Sequence, residues 1–271
     1  MSVSYELSFI GAGNMAEGIL AAVLAKKLYA PGQVIVSDPV AERRELFAKQ
    51  FGVAVTEDNR KLIADSKLVL LAVKPQSFAE VAAGVADLVR DDHLFISIMA
   101  GVSTKRIEEA FGKCTKAVRV MPNLPVRVGA GIAGVCPGQF ATTDDVTATC
   151  AIFDAGGSTV LLKDEGLMDA VTAVSGSGPA YFYYFVEALV AGGVACGLSE
   201  GDALKLAEYT CLGAAKMMLE TNEPPAELRR KVTSKGGTTQ AALEHMERIG
   251  VSGAIRDAVK AAFNRGRELG T

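Results

Sequence analysis

Residues 6–20, ELSFIGAGNMAEGIL, run a short apolar segment into Gly11, and helical spacing of apolar side chains (Met15, Ile19) starts directly afterwards. The turn carries Gly11-x-Gly13-x-x-Ala16. A first glycine permits a tight strand-to-helix turn, a second lets backbone approach a pyrophosphate, and a small third residue lets helix pack on strand. The phosphates then sit at the helix N-terminus, where unpaired N–H groups and the helix dipole attract an anion. Such a fingerprint is weak alone, but this one follows a strand, opens a helix and begins a βαβ unit.

The chain continues in the same rhythm. Apolar runs at 33–38, 68–75, 94–101, 116–123 and 130–136 read as strands, and 40–52, 78–89 and 104–112 as helices. LVLLAVKP is apolar throughout, as expected of a strand covered on both faces. Strands alternating with helices predict a Rossmann-type, doubly wound, mostly parallel sheet. The pattern changes after GGSTVLLKDE (156–165), beyond which no strand is evident. Ser199 is placed to cap a helix at 200–220, prolines open another at 224–232, and 253–269 is helical. The expected organisation is a dinucleotide-binding domain over 1–162 and an all-α domain over 163–271. The second is small and apolar for a free-standing unit, which points to packing on another copy of itself.

Charge and composition exclude several classes. The 271 residues carry a net charge of −3 with no basic stripe, which argues against nucleic acid. Five cysteines without a C-x-x-C pair and only two histidines, His93 and His245, offer neither a disulfide framework nor a metal site or His-based triad. The opening residues lack the basic n-region of a signal peptide. The apolar stretch 179–196 carries Glu187 and a Gly192-Gly193 pair and is short for a membrane span, so burial between subunits is the expectation. A cytoplasmic protein without membrane partners follows.

Candidate ligand positions cluster at strand ends. Asp38 ends the second strand, where an acidic residue commonly accepts hydrogen bonds from ribose hydroxyls and favours NADH. Arg43 and Arg44 either form a solvated helix face or reach a 2′-phosphate, which leaves NADPH open. Lys74, in AVKPQ, is either an ordinary surface lysine or the charge nearest the nicotinamide. Asn123, at the end of MPN, is either a polar ligand contact or a loop cap. A second glycine loop, TSKGGTTQAAL (233–243), also runs into a helix. It reads either as a small carboxylate or phosphate site or as an N-cap supplied by Thr238 or Thr239.

The combination FIGAGNMAEGIL, AVKPQ, SIMAGV, VRVMPNLP, AVSGSGPAYFYYFVEAL and TSKGGTTQAAL, in this order over essentially the whole chain, resembles pyrroline-5-carboxylate reductase. The resemblance implies the last step of proline biosynthesis: hydride transfer from NADH or NADPH to the C=N carbon of Δ1-pyrroline-5-carboxylate, giving L-proline. It implies that Ser234, Gly236, Gly237 and Thr238 surround the carboxylate of this cyclic imino acid and that Thr239 places its hydroxyl near the ring nitrogen, as the catalytic candidate. It further implies Ile10, Gly11, Ala12, Gly13, Asn14 and Met15 at the pyrophosphate, and Asp38 and Asn59 at the adenosine end. Ala72, Val73, Lys74 and Pro75, with Met99 and Ala100, fall to the nicotinamide side, and Asn123 joins the substrate contacts. Dimers formed through C-terminal helices, and rings of such dimers, belong to the same expectation.

Two positions depart from the family pattern. Lys235 stands where many members have proline, and Asp38 where NADPH-preferring members often have Ser or Thr. The scarcity of histidine is no obstacle, because a protonated imine carbon is electrophilic enough to need little acid–base machinery. The alternatives are another imine or β-hydroxyacid oxidoreductase, or a non-catalytic NAD(P)-binding protein. The helix beginning PAYFYYFVEALVAGG has no lysine, against the β-hydroxyacid type.

Overall fold

The structure, a computed structural model, describes residues 5–112 and 114–270. Eight strands form one sheet: β1 Tyr5–Ile10, β2 Val34–Ser37, β3 Ala54–Thr56, β4 Ser66–Leu71, β5 Leu94–Ser97, β6 Lys116–Met121, β7 Gly131–Pro137 and β8 Gly157–Leu161. Their spatial order is β3-β2-β1-β4-β5-β6-β7-β8. The order reverses between β1 and β4, so the strand ends there open on a crevice suited to a ligand. Every pairing is parallel except β6 with β7. Parallel strands need a crossover of a dozen or more residues. Only residues 122–130 separate β6 from β7, and they coil into a short 3-10 turn at Leu124–Val128, so the chain must return antiparallel.

The helices on this sheet are α1 Asn14–Ala25, α2 Ala41–Phe51, α3 Asn59–Asp65, α4 Phe78–Val85, α5 Thr104–Phe111, α6 Thr143–Asp154 and α7 Met168–Val171. Alternation along the strands builds two apolar layers. Leu7 and Phe9 of β1 join Val36, Leu70 and Ile96 on one face, while Ile10 joins Ile35, Val69, Leu71 and Phe95 on the other. Burial on both faces explains why these strands read as unbroken apolar runs.

Several elements lie beyond the expected set, among them β3, α3 and α6. β3 has only three half-buried residues. α3 starts at Asp58, whose carboxylate accepts from the N–H groups of Arg60 (2.8 Å) and Lys61 (3.3 Å). α6 starts at a capping box in which Thr142 and Asp145 exchange side-chain-to-backbone hydrogen bonds. Expected strands also run long at their ends: β4 stops at Leu71 and β5 at Ser97, so AVKP and IMAG are loops rather than strand termini.

Beyond Leu161 the described residues contain no strand. The helices there are α8 Gly178–Ala195, α9 Glu200–Thr221, α10 Pro225–Lys231, α11 Thr238–Arg248 and α12 Val251–Gly270. Packing divides the chain into two compact units, one running to Ser177 and taking in Ala262 onward, the other Gly178–Ala261. The division falls later than the 162/163 boundary suggested by the loss of strands, because the short helical turns after β8 pack with the sheet unit. In the helical unit, Ser199 caps α9 by accepting from the Asp202 N–H. α8 lies so close to α9 that a Cβ on Gly193 would stand 3.1 Å from the Ala203 Cβ. Phe182, Tyr183, Tyr184, Tyr209 and Leu219 nevertheless remain exposed. No helix among the described residues is long and apolar enough to cross a membrane.

Candidate functional site

The β1–α1 turn is held open for a ligand by its two glycines, each for a different reason. Gly11 has φ +104°, and a Cβ there would stand 2.6 Å from the Ala72 carbonyl oxygen. The turn is fastened by Gly11 N–H to Ser37 O (2.8 Å) and Ala72 N–H to Ile10 O (2.8 Å). Gly13 is the N-cap of α1, no side chain caps that helix, and a Cβ on Gly13 would meet no protein atom within 4 Å. The first N–H groups of α1 have no intrahelical acceptor, and they face open space beside Gly13. This cradle fits a pyrophosphate. Ile10 and Ala12 are fully buried, so they can serve a ligand only through backbone, whereas Gly13 and Asn14 are exposed.

At the adenosine end, Asp38 is half-buried and already engaged. Its Oδ2 accepts from Ala12 N–H at 2.7 Å and its Oδ1 from Val40 N–H at 2.9 Å. A carboxylate offers about four acceptor sites, so it can still take ribose hydroxyls. Arg43 and Arg44 are not a free helix face. Arg43 Nε donates to the Ala12 carbonyl at 2.6 Å and its guanidinium pairs with Glu17 at 2.9 Å. Arg44 donates to the Asp38 carbonyl at 2.7 Å and pairs with Glu57 at 3.1 Å. Both cations therefore brace the fingerprint loop and its neighbour. The Asn59 carboxamide oxygen accepts from the Ser37 hydroxyl at 2.6 Å, which sets that side chain beside the end of β2.

On the other side of the crevice, Lys74 is exposed and Pro75 opens a 3-10 turn. Ala72 and Val73 are partly buried at the end of β4. Met99 is only 2% exposed and its side chain belongs to the core, whereas Ala100 is exposed. Asn123, expected among the substrate contacts, is already engaged within the fold. It is 7% exposed, its Oδ1 accepts from Ile132 N–H at 2.9 Å, and its Nδ2 donates to Ser175 O at 3.2 Å. Both ends of the amide tie backbone together, as a loop-fixing residue does.

The second loop lies in the helical unit. Gly237, not a threonine, is the N-cap of α11, and no side chain caps it. Thr238 and Thr239 are the first two helical residues, so the reading of either as the capping residue is corrected. The first helical bond is Ala241 N–H to Gly237 O at 3.2 Å, which leaves the amides of Thr238, Thr239 and Gln240 without an intrahelical acceptor. Gly236 has φ +74°, a left-handed conformation that favours glycine. A Cβ on Gly237 would collide with the Ser234 hydroxyl, which is packed against it. Three N–H groups at a helix N-terminus, beside the hydroxyls of Ser234, Thr238 and Thr239, make a site for a small anion.

Gln240 was not foreseen. Its Oε1 accepts the Gly236 N–H at 2.7 Å and its Nε2 donates to Glu244 at 2.7 Å, so the loop is closed by its own helix. The Gly236 amide is thus occupied and is not one of the donors left for a ligand. The signal was present, since Gln at the third helical position is a capping-box residue.

Two family models match the chain. A family model described as pyrroline-5-carboxylate reductase dimerisation matches residues 165–269. One described as NADP oxidoreductase, coenzyme F420-dependent, matches residues 6–101. The pyrroline-5-carboxylate reductase of Synechocystis is 45% identical over 268 residues, 99% of each chain. Among solved structures, a pyrroline-5-carboxylate reductase from Coxiella burnetii superposes with TM-score 0.93 at 35% identity, covering 99% of each chain. The Plasmodium falciparum pyrroline carboxylate reductase, crystallised with NADP bound, superposes with TM-score 0.87 at 27% identity over 100% of each chain.

Proposed function

The chain belongs to the pyrroline-5-carboxylate reductase family, and we propose from that membership how its two glycine loops divide the work. It is an NAD(P)H-dependent oxidoreductase that reduces the C=N bond of Δ1-pyrroline-5-carboxylate to L-proline. Family membership sets aside the β-hydroxyacid and non-catalytic alternatives.

The observation that supports the assignment is the α11 N-terminus, with helix amides and the hydroxyls of Ser234, Thr238 and Thr239 gathered in one loop. In this reading the Thr238 and Thr239 amides and the Ser234 and Thr238 hydroxyls hold the substrate carboxylate, while the glycines keep the loop tight. The Thr239 hydroxyl accepts from the N–H of the protonated ring nitrogen and so orients it; as the adjacent carbon takes the hydride, the C=N π pair becomes the nitrogen lone pair. Holding the ring at one end positions the imine carbon for a near-attack distance of about 3–3.5 Å, which accounts for much of the barrier lowering. Lys235, exposed beside the loop, adds a positive field for the carboxylate.

The turn from Ile10 to Met15 holds the cofactor pyrophosphate, Asp38 and Asn59 the adenosine end, and Ala72 to Pro75 with Ala100 and the Met99 backbone the nicotinamide side. When bound, NADH or NADPH supplies the hydride. The NADP of the Plasmodium relative and the NADP oxidoreductase match support use of NADPH, while Asp38 favours NADH. The same proposal includes self-association through 163–271, first as dimers and then as rings of dimers, and a cytoplasmic protein. The exposed aromatic side chains of α8 support the dimer.

The test is consumption of NADH and NADPH, followed in parallel by absorbance, with Δ1-pyrroline-5-carboxylate as substrate. Substrate-dependent oxidation with L-proline as product is the expected result. A folded protein that binds cofactor and produces no proline would refute it.

A further inference from the structure

The turn that carries Gly11 and Gly13 is fastened by residues that follow β2. Asp38 Oδ2 accepts from the Ala12 N–H at 2.7 Å, and Arg43 Nε donates to the Ala12 carbonyl oxygen at 2.6 Å. Side chains of opposite charge thus hold two successive peptide groups, 11–12 and 12–13. A trans peptide directs its C=O and N–H to opposite sides. With the Ala12 carbonyl drawn toward α2, the Gly13 N–H turns away from α2. That N–H has no acceptor among the described residues, and a Cβ on Gly13 would meet no atom within 4 Å. Donation to the carbonyl also polarises the peptide and makes its N–H the better donor.

Local sterics do not fix this peptide. Gly13 has φ −73°, and a flip of the peptide before it would carry it to positive φ, which glycine adopts about as readily. The flipped peptide would turn the negative end of a carbonyl dipole toward the pyrophosphate. The residue that leaves room for phosphate therefore needs a brace from elsewhere, and Arg43 is itself held rigidly. Its guanidinium pairs with Glu17 at 2.9 Å, and its Cζ lies 5.6 Å from the centre of the fully buried Phe47 ring. Glu17 is itself anchored: its N–H donates to the Gly13 carbonyl at 3.0 Å, and its other carboxylate oxygen pairs with Arg127 at 3.3 Å. A planar fork fixed from both α1 and α2 is suited to orienting a neighbouring peptide.

We propose that Arg43 is a positioning residue for the cofactor: by bonding the Ala12 carbonyl it keeps the Gly13 N–H aimed at the pyrophosphate, alike for NADH and NADPH. This role rests on the assignment of the pyrophosphate to the turn from Ile10 to Met15. It differs from contact with a 2′-phosphate, which only NADPH carries and which would make Arg43 a discriminating residue.

The experiment compares Arg43→Gln with Arg43→Met by calorimetric titration of NADH and NADPH, thermal unfolding and steady-state kinetics. Gln sets its side-chain nitrogen at the chain position of Arg43 Nε and keeps a donor for the Ala12 carbonyl. Met has a similar length and no donor, and both variants lose the charge. In Arg43→Met, Kd and KM for both cofactors should rise by equal factors of at least about tenfold. At saturating cofactor, kcat and the KM for the imino acid should stay unchanged. Arg43→Gln should hold both cofactors to within about threefold of the unsubstituted protein. A loss confined to NADPH would make Arg43 a 2′-phosphate ligand and overturn the proposal. A loss of about tenfold in Arg43→Gln overturns it whether or not Arg43→Met folds, because charge rather than the bond would then be responsible. So does undiminished affinity in a folded Arg43→Met protein. Gly13→Ala, run alongside, tells the two levels apart. Affinity retained there removes the pyrophosphate assignment itself, whereas affinity lost there and retained in Arg43→Met removes only the brace.

Discussion

The Gly236 N–H donates to the Gln240 side-chain oxygen at 2.7 Å, so the second glycine loop is closed by a residue one helical turn further on. Neither Thr238 nor Thr239 is needed to cap α11. The hydroxyls stay available for a ligand, and stability and catalysis in this loop become separable by mutation.

Thr239→Val is the direct test of that separation. With no cap to lose, stability should change by no more than about 0.5 kcal/mol, as for ordinary surface substitutions. Loss of the hydrogen bond that orients the ring nitrogen should lower kcat/KM by about 10²-fold or more. Thermal unfolding and steady-state kinetics on one preparation check both. Wild-type turnover would remove Thr239 from the mechanism.

Gln240→Leu should do the reverse. It leaves the Gly236 amide unpaired, at a cost of about 0.5–1.5 kcal/mol, and raises KM for the imino acid because the loop loses its brace. Gln240→Glu keeps an acceptor for Gly236 and suits the helix dipole, so stability should hold. It also sets a negative charge beside the substrate carboxylate, and KM should rise with ionic-strength dependence. An unchanged KM in both variants would separate this loop from substrate binding.

Gly11→Ala and Gly13→Ala should fail differently. The first forces a Cβ against the Ala72 carbonyl at φ +104°, and a strain of about 1–3 kcal/mol should appear as a lower Tm. The second meets no protein atom, so folding should be preserved while NADH and NADPH affinity falls. Calorimetric unfolding and cofactor titration distinguish them. Undiminished affinity in Gly13→Ala would place the pyrophosphate elsewhere.

Asp38→Ser should raise the ratio of kcat/KM for NADPH over NADH by tenfold or more, each factor of ten being about 1.4 kcal/mol of removed repulsion. Ser retains an acceptor for the Ala12 amide that Asp38 now binds at 2.7 Å. Parallel kinetics with the two cofactors decide it. An unchanged ratio would mean that Arg43 and Arg44, rather than Asp38, set the preference.

His93 gives the fold a pH dependence. It is buried, its Nδ1 accepts from Arg90 N–H at 2.8 Å, and its Nε2 lies 3.1 Å from Ser66 O and 3.2 Å from Ile63 O. Burial first, then the Arg90 guanidinium, lowers its pKa below 6.5. The folded state thus prefers the neutral ring. That stability is complete above the unfolded pKa of 6.5 and is lost as pH falls from there toward the lowered folded value. Urea midpoints between about pH 7 and pH 5 should decline, and His93→Gln should flatten the decline. A parallel decline in both proteins would assign it to other groups.

Much of this was legible along the chain. Apolar runs, glycine stops and the spacing from Gly11 to Ala16 are local properties, and local sterics and periodicity suffice to read a doubly wound sheet followed by helices. The two loops likewise announced themselves, because glycine and helix N-termini carry their chemistry within a few residues. Short β3 escaped because three half-buried residues carry no period, and α3 and α6 were passed over although Asp58 and Thr142 cap them.

What only the tertiary structure decided is where polar side chains spend their hydrogen bonds. Asp38 binds the amide of Ala12, Arg43 its carbonyl, and Asn123 ties Ile132 to Ser175. These partners lie up to 52 residues apart. The sequence by itself determined the elements and the kind of ligand each loop could take. Which side chains remain free to hold that ligand depends on what the fold brings within about 3 Å, since a buried polar group bonds to whatever neighbour packing supplies.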